Sequence, residues 1–373
     1  MTWQRGTLAD FMGDAIVYRN LEPVHPDVPG LREAWSAFGL GHYYIPRKTS
    51  PAYAAALHRF LEHFQRARGV AAPLQSALFV GDTLMNDGTA ARNLGRHLPI
   101  VGFIGADRPA EPESIEMRGE LMVANRWSAL GEFLERVRSA GAPLNECTAL
   151  LLDLDKTCLG ARGRNDKVID AARVAAVQHT MQSTLGDAFD LATFRAVYDP
   201  LNQPEYHPFT ADNQDYLAYI CLMVVGGVYP AEELWADLRS GALSTIEGFA
   251  ERCEARRERM APGLLAAHRE VRDGISSEDP TPFKGFRRRE YLETVGRMDA
   301  LSDDAAAQDV LGREIVITAE VASLATHLAA QGVLVFGISD KPDEASIPTP
   351  EQAAEGRQPI HRTRMKVYGQ AVV

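Results

Sequence analysis

The chain has 373 residues, enough for about two domains, with 46% apolar and 24% charged residues, as ordinary globular proteins have. Its formal net charge of −11 argues against nucleic acid or an anionic membrane as main partner, because both reward a basic surface. The four cysteines are scattered, with no C-x-x-C pair, which reads as reduced thiols. The N-terminus lacks a basic stretch followed by an apolar one, so no secretory leader is expected. The longest apolar run, YICLMVVGGVY (219–229), is too short to span a bilayer, so the expectation is a soluble cytoplasmic protein.

Residues 1–40 hold several Pro and Gly and read as an N-terminal extension. GHYYIP (41–46) is aromatic and β-branched, which predicts a short strand. In SPAYAAALHRFLEHFQRARG, Pro51 marks a helix start, apolar residues follow at helical spacing, and Gly69 ends it. SALFVGD predicts an apolar strand, DGTAARNLGRHL a helix and PIVGFIGAD another strand. GELMVANRWSALGEFLERVRSAG adds a short strand and an amphipathic helix, and CTALLLDLD a buried strand. Over 159–310 helical periods dominate, as in NDKVIDAARVAAVQHTMQSTL and PAEELWADLRSG, so a mostly helical insert is expected. Alternation returns with TAEVASLATHLAAQG, VLVFGIS and TPEQAAEG, and the chain ends in RMKVYGQAVV.

Short apolar strands alternating with helices predict an α/β fold: a Rossmann-like parallel sheet of about five strands. Residues 41–158 and 311–373 would form this core, with 159–310 inserted as a helical domain. Ligands of such sheets gather at the carboxyl ends of the strands. Three polar clusters fall there: Asp82 after SALFVG, Asp153 after TALLL and Ser339 after VLVFGI.

In LLLDLDKT a buried strand delivers Asp153 and Asp155, two residues apart, then Thr157. Alternation puts both acids on one side unless the chain leaves the strand there. Anions so close repel, so a proton or a cation must sit between them, and carboxylates suit a hard ion such as Mg²⁺. VGDTLMND adds Asp82, then Asn86 and Asp87 in a first helical turn, where the dipole favours negative charge. In the insert, PFKGFRRREY offers Lys284, Arg287 and Arg288 as a grip for an anionic substrate. A helix face pairing with nearby acids such as Glu290 explains the same residues equally well. The histidines show no metal-ligand spacing.

These residues resemble the haloacid dehalogenase-like (HAD) phosphohydrolase superfamily. Its first motif, hydrophobic-D-x-D-x-T, is matched by Asp153, Asp155 and Thr157; its second, a Ser or Thr ending a strand, by Ser339. The fourth, G-D-x-x-x-x-D, is matched by Gly81, Asp82 and Asp87, and the third, a lysine before the fourth-motif strand, by Lys48. Lys341 and Lys366 compete with Lys48 for that place, and Lys156 stands where many members carry glycine. The family order is one to four; here it is three, four, one, two, which implies a circularly permuted core. Two partial domains completing each other in a dimer, or a tandem pair whose degenerate first member begins near DAIVYRNLEPVHPDVPGL, would give the same order.

The resemblance implies that Asp153 attacks phosphorus and forms an aspartyl-phosphate, and that Asp155 moves the proton, with Thr157 orienting it. Ser339 and Lys48 would hold phosphoryl oxygens. Asp82, with Asp87 or Asn86, would complete a Mg²⁺ shell beside Asp153 and the carbonyl of Asp155. An insert between the first two motifs acts in this family as a cap that selects substrate. The expected activity is hydrolysis of a small phosphorylated metabolite. Phosphoryl transfer by a phosphotransferase or mutase, and a catalytically silent scaffold binding a protein partner, are the alternatives. Substrate identity and oligomeric state have no motif to read.

Overall fold

A computed structural model of the chain describes residues 3–373. Among these the strands are, in chain order, β1 (Arg5–Gly6), β2 (Ile16–Val17), β3 (Ser76–Gly81), β4 (Ile100–Gly105) and β5 (Ile115–Arg118). They continue with β6 (Leu121–Ala124), β7 (Thr148–Asp153), β8 (Ile317–Thr318), β9 (Leu334–Ile338) and β10 (Met365–Tyr368). Seven form one sheet, in the order β2-β9-β7-β3-β4-β6-β5, and β1-β10-β8 form a small second one. In the large sheet every pairing is parallel except that of β5 with β6. The fold is therefore α/β with a mostly parallel sheet, two strands wider than expected.

Strand β7 shows why its sequence is an unbroken apolar run. Ala149 and Leu151 join a core cluster on one face, while Leu150 and Leu152, on the alternate face, are equally buried. A parallel strand covered on both sides has no polar face to show. The helix Pro51–Ala67 supplies that cluster with Tyr53, Leu57, Phe60, Leu61 and Phe64, which meet Phe79 of β3 and Phe336 of β9. Each large side chain so buried contributes about 1.5–3 kcal/mol. The helix start is as read: Pro51 sits in the first turn, and the Ser50 hydroxyl accepts from the Tyr53 amide at 3.2 Å.

Other readings change. GHYYIP forms no strand; it is a loop in which His42 lies against Tyr44, and Arg19 donates to the Pro46 carbonyl at 2.8 Å. Pro46 has no N–H to offer a ladder. The first forty residues are more than an extension, since β2 pairs with β9 at Ile16↔Gly337 and Val17↔Ile338. DAIVYRN thus adds an edge strand to the same sheet instead of opening a domain of its own.

The chain divides into two compact units, one running up to Ala171 and resuming over Thr294–Val373, the other Ala172–Glu293. The expected insert, 159–310, was too generous at both ends. Residues near 299–314 belong to the first unit because buried Lys366 ties them in, at 3.1 Å from Asp299 and 3.0 Å from Glu314.

The second unit is helical among its described elements. At its centre the helix Gln214–Val225 buries Leu217, Tyr219, Ile220, Leu222 and Met223, residues from all round its axis. Arg287 corrects the substrate-grip reading. Its guanidinium is buried, 2.6 Å from both Asp215 and Glu290, and so serves an internal ion cluster. Lys284 lies 2.9 Å from Asp279, and Arg288 is exposed. Among the described residues no helix is long and apolar enough to cross a membrane, and all four cysteines are free.

Candidate metal and phosphoryl site

Strand register brings the sequence clusters together. β7 lies between β9 and β3, with Asp153 opposite Ile338 and Leu152 opposite Val80. Ser339, Asp153 and Asp82 therefore leave three neighbouring strands at the same edge. Asp82, Asp87 and Asp153 each bring a carboxylate oxygen within 4.8 Å of the others. Residues 71 positions apart in the chain meet in one molecule, so no partner chain is needed to join the two halves.

Lys48 stands among these acids. Its Nζ lies 2.5 Å from Asp153 Oδ1, 2.6 Å from Asp87 Oδ1 and 3.9 Å from Asp340. The other oxygen of Asp87 accepts from the Asp82 amide at 3.1 Å, the Thr83 amide at 2.8 Å and the Thr83 hydroxyl at 3.0 Å. This folds the GDTLMND turn back on itself. A Cβ at Gly81 would lie 2.4 Å from that of Asp87, so only glycine lets the acid come so close to the strand end. Asp82 in turn accepts from Arg162 Nε at 2.5 Å.

Three carboxylates face two cations here, and the balance shows in their acidities. Burial, then the Asp87 charge, pushes the Asp82 carboxyl up to about 7. Asp87 is buried too, yet Lys48 and the turn amide of Thr83 hold it down at about 2. Burial raises Asp153 against the pull of Lys48, with Asp87 and Asp82 adding to the rise. Burial alone would lower Lys48, but Asp153, Asp87 and Asp340 hold it above its usual range. A surplus of hard anionic oxygen is what a Mg²⁺-type ion requires, so the residues present fit one.

Divalent-ion affinity should consequently depend on pH. Below pH 7 Asp82 carries a proton that the ion must displace; above it the carboxylate is free. Calorimetric titration with Mn²⁺ is expected to show about 10-fold weaker binding at about pH 6 than at about pH 8. An affinity flat across that range would show that Asp82 takes no part.

The Asp155 carboxylate is not in the three-acid group; the ligand expected from this residue was its carbonyl. β7 ends at Asp153, and the chain turns at once, with Lys156 in the left-handed region at φ 67°. Strand alternation therefore stops before Asp155, whose carboxylate lies 3.6 Å from the buried Lys341 ammonium. The same φ explains why glycine would suit position 156, since a side chain there costs about 1–2 kcal/mol. Lys156 Nζ is held by Asp170 at 2.9 Å. Buried Thr157 finds no hydrogen-bond partner for its hydroxyl, so it does not orient Asp155 in this structure. Ser339 is buried, and its hydroxyl accepts from the Lys341 amide at 3.0 Å. Asn86 opens the helix Asp87–Leu94 without a side-chain cap hydrogen bond.

Of the three competing lysines, Lys48 touches two of the three acids, Lys341 touches Asp155, and Lys366 belongs to the Glu314–Asp299 cluster. Two residues went unread in the sequence. Arg162 was signalled only by the glycine-framed GARGR following the D-x-D. Tyr53, on the core face of its helix, has a buried hydroxyl without a partner, and burial makes that hydroxyl less acidic than usual, next to the charges of Lys48, Asp340 and Asp153. No family model matches this chain, and no curated protein or solved structure matches it either.

Proposed function

We propose that this chain is a Mg²⁺-dependent phosphomonoesterase with a circularly permuted HAD-like core, working through an aspartyl-phosphate. The observation that carries the reading is Lys48 bridging Asp153 and Asp87 at one sheet edge, with Asp82 beside them and Ser339 on the next strand. The Lys48 ammonium opposes the effect of burial on Asp153 and so favours the ionised form that a nucleophile needs.

In this reading the Asp153 carboxylate attacks phosphorus, and the bond to the leaving oxygen breaks. Asp155 donates a proton to that oxygen and then removes one from the water that releases phosphate. Its 24% side-chain exposure gives it access to both. Lys48 and Ser339 meet the charge that grows on the phosphoryl oxygens. Mg²⁺ held by Asp82, Asp87 and Asp153 would supply further neutralisation of that charge.

Incubation with p-nitrophenyl phosphate tests this directly. Nitrophenol release is expected with Mg²⁺ and should vanish with EDTA. No metal-dependent release across the neutral range would favour the silent scaffold, and release that rises with an added alcohol acceptor would favour phosphoryl transfer.

A further inference from the structure

We propose that Arg162 selects phosphomonoesters carrying a second anionic group, a carboxylate or another phosphate, a few bonds from the ester. This deepens the phosphohydrolase reading and rests on it.

The backbone holding Arg162 is fixed on several sides. Its amide donates to the Lys156 carbonyl at 2.8 Å, and its carbonyl accepts from the Asp107 amide at 2.8 Å and from Trp127 Nε1 at 3.3 Å. The next residue, Gly163, has φ 79°, and a Cβ there would lie 1.9 Å from the Asp107 carbonyl oxygen. The loop after the proposed nucleophile therefore lies backbone to backbone against the segment leaving β4. A side chain on such a mount is aimed, not drifting.

Its aim is divided. Nε donates to Asp82 at 2.5 Å, while the two Nη atoms donate to no described residue, and the side chain is 37% exposed. Holding Asp82 uses one edge of the guanidinium. The other edge is a planar pair of donors open to solvent, one carboxylate away from the three-acid group. That fork matches a carboxylate or phosphate in two-pronged fashion, which an ammonium does not. Lys48 and Lys341 are buried and already set against Asp153, Asp87 and Asp155, where the reacting phosphoryl group would lie. Arg162 is left to read what the phosphoryl group is attached to.

The test compares 2-phosphoglycolate with ethyl phosphate, which carries a methyl in place of the carboxylate, and takes ethane-1,2-diyl bisphosphate as the phosphate arm. Binding to the full chain with Mg²⁺ is measured by calorimetry in an Asp153→Asn background, which lacks the attacking carboxylate and so leaves the esters intact. The two-headed ligands are expected to bind at least about 10-fold tighter than ethyl phosphate. Adding Arg162→Gln should bring that ratio to within about twofold, and Arg162→Lys should leave an intermediate value. Because the readout is a ratio, any loosening of Asp82 cancels. Which of the two-headed ligands gains more identifies the group preferred. If ethyl phosphate binds but the ratio is near one, or survives Arg162→Gln, the selectivity proposal is wrong and the hydrolase reading stands. If no ligand binds, both fall.

Discussion

Replacing Asp153 with Asn should lower kcat/KM for Mg²⁺-dependent phosphate release by more than about three orders of magnitude, about 4 kcal/mol of transition-state stabilisation. The amide has nearly the same shape, so the packing at the end of β7 survives. Lys48 keeps its pairing with Asp87 at 2.6 Å. What disappears is the lone-pair charge that would attack phosphorus. Asp155→Asn should behave differently: a loss of about 10²–10⁴-fold, with the phosphorylated enzyme accumulating because water is no longer activated. Rapid quench with ³²P-labelled substrate separates them, since label should stay on the Asp155 variant and be absent from the Asp153 variant. A thermal transition unchanged from wild type would show that the fold is intact. Activity above about a tenth of wild type in the Asp153 variant would remove it as nucleophile.

How much of this site could be read in the sequence follows from what each part depends on. Asp153 and Asp82 end apolar runs, and a polar residue closing a buried parallel strand is visible as a pattern. Their meeting was legible too, because parallel strands put all their carboxyl ends on one edge. Lys48 was harder, since it lies in a loop with no period. Only its place ahead of β3 marked it, and the Asp153–Asp87 contact now distinguishes it from Lys341 and Lys366. The placing of the Asp155 side chain relative to Asp153 was not legible, because alternation presumes that the strand continues and a left-handed Lys156 is a tertiary fact. Arg287 looked like a substrate grip because a basic run is visible, whereas Asp215, its buried partner 72 residues earlier, is not. The two-residue strands β1, β2 and β8 are too short to show alternation at all. The exposed β5 places Ile115 and Met117 on one face, but four residues are too few for that alternation to be read as a strand.

Lys48→Met is expected to have the largest effect on stability, and its dependence on conditions carries more information than its size. Met keeps the length and most of the apolar stem but leaves Asp153 and Asp87 facing each other without the cation between them. Breaking a buried pair by removing one partner costs about 3–5 kcal/mol, because the remaining charge has lost its compensation. The sign with pH is then set. Without Lys48 both acids would titrate above their unfolded values, so the folded state holds protons the unfolded chain lacks. Stability should therefore recover as pH falls from about 8 to about 5, where wild type, with its Asp87 held at about 2, gains nothing from that residue. A divalent ion should restore stability by the other route. Binding only the folded form at about 100 times its Kd, it adds about 2.7 kcal/mol. Thermal melts of Lys48→Met at the two pH values, with Mg²⁺ and with EDTA, measure both effects together. A melting temperature that ignores both proton and metal would mean that the carboxylates at positions 82, 87 and 153 do not share one electrostatic site.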